Sequence, residues 1–230
     1  MMVNKKYIHI GIFAAFAFLL VSCTYSYQNK VMADATNLTM VGQYSLASEK
    51  HLVQDYPPID TDLNINVVVE IPAGTNAKWE VDKTSGNLKW DFKKGKPRVV
   101  SYLAYVGNYG MVPGTISSKE SGGDGDPLDV IVLGPAIPRG SVVKARLIGV
   151  LKLLDKGEQD DKLIAVLPDS PLGKVSNLKM LKSEFNGITN IIEVWFSNYK
   201  GPGMMVSEGF EDVDQAWKIL DAAISAYKRS

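Results

Sequence analysis

Three aspartates fall within six positions of the stretch Gly-Asp-Gly-Asp-Pro-Leu-Asp-Val, residues 123–130, as Asp124, Asp126 and Asp129. Carboxylates that close repel one another and resist ionising together unless something positive stands between them. They follow Ser121-Gly122-Gly123 and precede the apolar run Val130-Ile131-Val132-Leu133, which places them at the mouth of a strand. A second group repeats the problem. Asp155 ends one strand and Asp160 begins its return after the turn 156–159, so a hairpin brings the two acids together, with Lys162 on the face of Asp160. Alternation along Lys-Trp-Glu-Val-Asp puts Lys78 and Glu80 on one face, away from Trp79 and Val81. Oxygen donors gathered in this way suit hard cations such as Mg²⁺, Mn²⁺ or Ca²⁺.

Other chemistries for the same residues fail on spacing. An EF-hand loop starting at Asp124 would need an acid or Asn at its fifth position and Gly at its sixth, where Leu128 and Asp129 stand. The Asp-x-Asp of haloacid-dehalogenase-like phosphatases follows a buried strand, whereas Ser-Lys-Glu-Ser-Gly-Gly precedes this one. The Asp-x-Asp of glycosyltransferases is too short a signal to carry weight. There is no phosphate-binding G-x-x-x-x-G-K-[ST] loop and no G-x-S-x-G elbow. With two histidines (His9, His51) and one cysteine (Cys23), a Cys/His zinc site and a disulfide framework are both excluded. Net charge is zero and no basic run is interleaved with aromatics, which argues against a nucleic-acid partner.

These residues must be positioned by a mostly β domain. Strands are predicted over 64–71, 78–82, 128–134, 141–155 and 162–168, with Gly/Pro turns between them. In the first, Ile65, Val67, Val69 and Ile71 are expected on one side and Asn64, Asn66 and Glu70 on the other. Helices come late: one over about 183–199 with Ile188, Ile191, Ile192 and Trp195 on a face, and a last one led by Asp212 as N-cap, with Val213, Ala216, Trp217, Leu220, Ile224 and Tyr227 along its stripe. The fold class is mainly β with flanking α, a small five-stranded barrel with helices laid against it.

The first 22 residues read as a leader. Lys5 and Lys6 precede an apolar stretch from Ile8 to Val21, too short to span a bilayer and suited to a signal peptide. It ends in Leu20-Val21-Ser22-Cys23, which resembles a bacterial lipobox and implies lipid on Cys23 as the first mature residue. Removing residues 1–22 leaves 23 basic against 25 acidic residues, a net charge of −2. The expected organisation is a signal peptide over 1–22, the lipidated cysteine and a polar tether over 23–56, and one domain over 57–230. The expected location is extracytoplasmic, on the periplasmic face of a bacterial membrane; Thr24 after the cysteine favours the outer over the inner one.

The stretch 123–130 resembles the signature of family I soluble inorganic pyrophosphatases, and the similarity runs through most of residues 65–217. Residues 67–83 carry Glu70, Lys78 and Glu80; 93–115 carry Arg98, Tyr105 and Tyr109; 149–166 carry Asp155, Asp160 and Lys162; 194–200 carry Tyr199 and Lys200. The resemblance implies an OB-like closed barrel that hydrolyses pyrophosphate to two phosphates with several Mg²⁺ ions per site, for which Mn²⁺ or Zn²⁺ can substitute. It implies metal ligation by Glu70, Glu80, Asp124, Asp129, Asp155 and Asp160, with Asp126 as the base that takes a proton from the attacking water. Lys78, Arg98, Tyr109, Tyr199 and Lys200 would hold phosphate oxygens, while Tyr105 and Lys162 position the leaving phosphate and the nearby acids. A homo-oligomer is implied as well. The run Gly201–Met205 lacks a lysine that some relatives place there, and the leader is unusual for the family. A catalytically silent chain of this fold that binds phosphate or a protein partner is the alternative.

Overall fold

The computed structural model describes residues 38–230; the leader, Cys23 and the first part of the expected tether lie outside the described residues. The strands are β1 (Thr39–Gly42), β2 (Ser45–Ala47), β3 (Ile65–Ile71), β4 (Trp79–Val81), β5 (Leu88–Trp90), β6 (Phe92–Lys93), β7 (Lys96–Pro97), β8 (Asn108–Met111), β9 (Asp129–Leu133), β10 (Val142–Asp155), β11 (Glu158–Gln159), β12 (Lys162–Val166) and β13 (Met205–Asp212). The helices are α1 (Leu178–Glu184), α2 (Ile188–Asn198) and α3 (Val213–Tyr227). None among the described residues is long and apolar enough to cross a membrane.

Five strands pair in a ring. β3 pairs β8, β8 pairs β9, β9 pairs β12, β12 pairs β10, and β10 returns to β3. All contacts are antiparallel except β9–β12, which runs parallel in the register Asp129↔Lys162 to Leu133↔Val166. That parallel pairing matters for the site, because it sets Asp129 directly beside Lys162. The long β10 bends to serve several neighbours, and its register shifts beyond Leu147 against β12 and beyond Lys152 against β13.

The predicted alternation of β3 is not what its burial shows, since all seven residues are buried. A second sheet in the order β1-β2-β5-β4 is the reason. Trp79, Val81 and Leu88 of that sheet pack with Val68, Met111 and Val142, together with Leu52 and Val53. Burying both faces turns a strand that reads as half-exposed into one buried throughout.

The chain therefore enters the fold before residue 57. β1 and β2 pair with each other and β2 pairs β5, while Leu52 and Val53 are buried, so 38–56 is domain rather than tether. The helix expected over 183–199 is divided: α1 is capped by the Asn177 side chain, and Gly187 in the left-handed region starts α2. In α2, Ile192, Trp195 and Phe196 face the core, but Ile191 is exposed. For α3 the cap holds, with the Asp212 side chain accepting the Val213 N–H at 2.9 Å. Its buried residues are Ala216, Leu220 and Ala223, one 3.6-period stripe.

Candidate active site

The aspartate stretch forms a tight loop fastened to the preceding chain. Asp126 accepts the Ser117 N–H at 2.7 Å and Gly125 donates to the Ser117 carbonyl at 2.8 Å. Closeness on this scale needs glycine: a Cβ at residue 123 would stand 2.1 Å from Ser117 Oγ, and Gly125 sits at φ 85°. The Asp124 carboxylate accepts the Asp126 N–H at 2.8 Å, an Asx turn that aims both acids outward. The Gln159 N–H reaches the Gly122 carbonyl at 2.9 Å, tying the β10–β11 hairpin to this loop. The hairpin turn is only Lys156-Gly157, both at positive φ, so Asp155 is paired across the ladder with Glu158 and not with Asp160.

Lysines occupy the gaps between acids. Lys162 is 1% exposed and its Nζ meets Asp129 at 2.6 Å and also Asp160. Lys200 Nζ lies 2.7 Å from Asp155 and 3.7 Å from Asp160. Burial alone would lower the Lys162 ammonium, but Asp129 and Asp160 outweigh it and hold it charged. The same opposition acts on Asp129: burial pushes its carboxyl up, and Lys162 and Lys78 pull it below its ordinary value. Asp124 has no such cation. Its carboxyl is raised, first by burial and then by Asp126, Asp129 and Asp160.

Opposite these acids stands a cationic and phenolic wall. β4 carries Lys78 just ahead of it and Glu80 within it, 2.7 Å apart as an ion pair. Lys78 is buried with its Nζ 4.9 Å over the Tyr109 ring. Arg98 gives one arm to Asp91 at 2.9 Å, which fixes the guanidinium and leaves its other nitrogens available. Its charge is held above the ordinary value because that hydrogen bond overcomes the loss from burial. Tyr199, stacked on Trp195 at 4.7 Å, ends the wall beside Lys200.

These groups line one cavity of about 150 Å³, which gathers Lys78, Glu80, Arg98, Tyr109, Asp124, Asp126, Asp129, Asp155, Asp160, Lys162, Tyr199 and Lys200. Glu70 and Tyr105 stand one layer behind. Glu70 accepts the Val81 N–H at 2.7 Å, and burial pushes its carboxyl up to about 8, so it supports β4 and stands apart from the other expected ligands. Tyr105 packs on Trp195 at 4.4 Å between centroids, and burial raises its hydroxyl. The sequence reading missed Lys83, which meets the Asp126 carboxylate and, at 3.1 Å, the Gly125 carbonyl. It also missed Asp91 behind Arg98, and the buried Lys152–Asp161 pair that braces the hairpin.

Among the described residues no three acids close on one point. The donor set still suits a hard cation, being carboxylate throughout. One oxygen even waits for a partner, since Asp155 Oδ1 is buried without a hydrogen bond.

The comparisons agree with the geometry. A family model of inorganic pyrophosphatase matches residues 67–228. The inorganic pyrophosphatase of Helicobacter pylori is 41% identical over 168 residues, 70% of this chain and 90% of that one. That of Gluconobacter oxydans is 38% identical over 176 residues, 75% of this chain and 96% of the relative. The crystal structure of type I inorganic pyrophosphatase from Toxoplasma gondii superposes with a TM-score of 0.75 at 27% identity, covering 84% of this chain and 98% of its own. With a matched segment that holds every residue lining the cavity, the chain belongs to the inorganic pyrophosphatase family.

Proposed function

We propose that this chain hydrolyses inorganic pyrophosphate to two phosphates, using water activated by divalent metal ions, as a lipoprotein anchored at the periplasmic face of a bacterial membrane, the outer membrane favoured over the inner. The observation that carries the chemistry is one cavity that gathers Glu80, Asp124, Asp126, Asp129, Asp155 and Asp160 with Lys78, Arg98, Tyr109, Tyr199 and Lys200. Its volume of about 150 Å³ suits a small inorganic anion. Asp124, Asp129, Asp155, Asp160 and Glu80 would hold Mg²⁺, and the partnerless Oδ1 of Asp155 is one donor ready for it. Bound Mg²⁺ supplies a lowered pKa for water and neutralises phosphate charge.

The chain's own residues do the rest. Lys83 meets one oxygen of Asp126, which leaves the other to accept the proton of the attacking water. Arg98, fixed by Asp91, presents its remaining N–H groups to a phosphate as a planar fork. The Tyr109 hydroxyl, raised well above its ordinary pKa by burial, stays protonated and able to donate. Lys162 stands between Asp129 and Asp160 and meets both carboxylates. No covalent phosphoenzyme is needed.

The lipoprotein part rests on Lys5, Lys6, the apolar run and Leu20-Val21-Ser22-Cys23. A homo-oligomer is proposed on family grounds alone. The test is cell fractionation with phosphate release from pyrophosphate and Mg²⁺ measured in each fraction, for the full chain and Cys23→Ser. Membrane-bound activity that Cys23→Ser displaces is expected. Activity that stays soluble in the cytoplasm would overturn the anchor, and no phosphate release in any fraction would overturn the hydrolase.

A further inference from the structure

Ahead of the family match, which begins at residue 67, the hairpin β1–β2 pairs through β2 with β5, the strand beside the β4 that carries Glu80. The contact centres on Tyr44 at its turn. The Tyr44 carbonyl accepts the Trp90 N–H at 3.0 Å, and its ring meets Trp90 edge-on at 6.1 Å and Phe92 at 4.9 Å. Trp90 in turn stacks on Trp79 at 5.3 Å and donates from Nε1 to the Arg98 carbonyl at 2.9 Å. That same carbonyl accepts the Lys78 N–H at 3.0 Å. On the far side of Trp79 lies the Arg139 guanidinium at 4.8 Å, whose Nε holds the Glu70 carbonyl at 2.8 Å.

Trp79 sits between Lys78 and Glu80 in the chain, so whatever locks its ring inward sets the direction in which both neighbours project. One stack therefore governs three groups of the phosphate wall: Lys78 and Glu80 through Trp79, and Arg98 through the carbonyl shared by Trp90 and Lys78. The hairpin closes the open end of that stack. Leu38, just ahead of β1, packs where a Cβ on Gly140 would stand 2.3 Å from it, so the same segment also abuts the Arg139 loop.

We infer that Tyr44 is a positioning residue for substrate binding, acting through Trp90 and Trp79 on Lys78, Glu80 and Arg98; the inference rests on the pyrophosphatase reading. Of the proposed metal ligands only Glu80 rides on this stack, while the loop and hairpin that carry Asp124, Asp126, Asp129, Asp155 and Asp160 belong to other elements, so the Mg²⁺ midpoint should move less than KM with Tyr44. An aromatic contact of this kind converts to about a 3- to 10-fold effect.

The test compares the full chain with Tyr44→Ala, Tyr44→Phe and the exposed-site control Met40→Ala in steady-state hydrolysis of pyrophosphate, with Mg²⁺ titrations and thermal melts. Tyr44→Ala is expected to raise KM for pyrophosphate about 3- to 10-fold, with kcat near that of the parent and a smaller change in the Mg²⁺ midpoint than in KM. Tyr44→Phe should restore KM, because ring and carbonyl make the contacts. Unchanged KM in Tyr44→Ala, or a lower melting temperature alone, overturns the inference. So does a Mg²⁺ midpoint shifted as far as KM, or failure of Tyr44→Phe to restore KM. If Tyr44→Ala does not fold, Tyr44→Leu takes its place, and the same readings decide. A parent chain that releases no phosphate would instead overturn the pyrophosphatase reading, a separate failure visible before any variant is made.

Discussion

Replacing Lys162 by Met keeps the length of the side chain and removes the ammonium that stands between Asp129 and Asp160. The residue is 1% exposed, so water cannot take its place. Removing one member of a buried ion pair typically costs about 3–5 kcal/mol, because the partner is left charged and uncompensated. The fold has one other response, which is to protonate a carboxyl. From an ordinary value of 3.8, holding one proton at pH 7 costs roughly 4 kcal/mol. Both routes give the same size, so the metal-free variant should lose about 3–4 kcal/mol. For a domain of this length that is a fall of roughly 6–16 °C in melting temperature. The deficit should shrink as pH falls towards 3.8, because protonation becomes cheaper there. Millimolar Mg²⁺ should also recover part of it by supplying positive charge to the same acids. Circular dichroism melts in EDTA and in Mg²⁺, at pH 7 and pH 5, make the comparison. An equal loss under all four conditions would mean that lost packing is responsible, and that the charge argument for Lys162 is wrong.

Three further outcomes follow from the same geometry. Asp126→Asn should lower kcat by about 10²–10⁴-fold and stay slow at saturating Mg²⁺, whereas the rate of Asp129→Asn should partly recover as Mg²⁺ is raised; the reverse pattern in the two titrations would exchange their roles. Ca²⁺ should inhibit hydrolysis supported by Mg²⁺, since its larger and looser coordination shell places ligands differently; equal rates with the two ions would count against that. A chain beginning at residue 57 loses β1–β2 together with Leu52 and Val53, 0% and 4% exposed. Each such side chain contributes about 1.5–3 kcal/mol, so the shortened chain should melt well below the parent, and an unchanged melt would return residues 38–56 to the role of tether.

What could be read without coordinates was local chemistry and local period. The strand 142–155, the acids of 124–129 and the N-cap at Asp212 each depend on neighbours within a few positions, and each is where its pattern puts it. The register of the second hairpin was not readable, because it turns on Lys156 and Gly157 taking positive φ and so shifts the partner of Asp155 to Glu158. β1 and β2 escaped notice for another reason. They are short and little buried, and only pairing with each other and with β5 makes them strands. Glu70 shows the limit of alternation: the reading put it on an open face, but the second sheet covers that face and leaves its carboxylate on the Val81 N–H. Lys83 has no local signal at all, since the acid it meets lies 43 residues further on.

These missed partners bear on how so many acids can share one wall. Of the acids facing the cavity, Asp129, Asp160 and Asp155 are balanced by Lys162 and Lys200, Glu80 by Lys78 and Asp126 by Lys83. Asp124 has none of these, and its carboxyl is the one that burial and its neighbours push upward. The ring of strands can therefore close with no ion bound, because most of the repulsion is already neutralised by ammoniums on flexible stems. A divalent ion entering between Asp124 and its neighbours would relieve the repulsion at Asp124, and it would compete with Lys83 and Lys200 for the acids they meet. Binding strength should then depend on how easily those two half-exposed lysines give way, whereas Lys162, enclosed between Asp129 and Asp160, should stay in place.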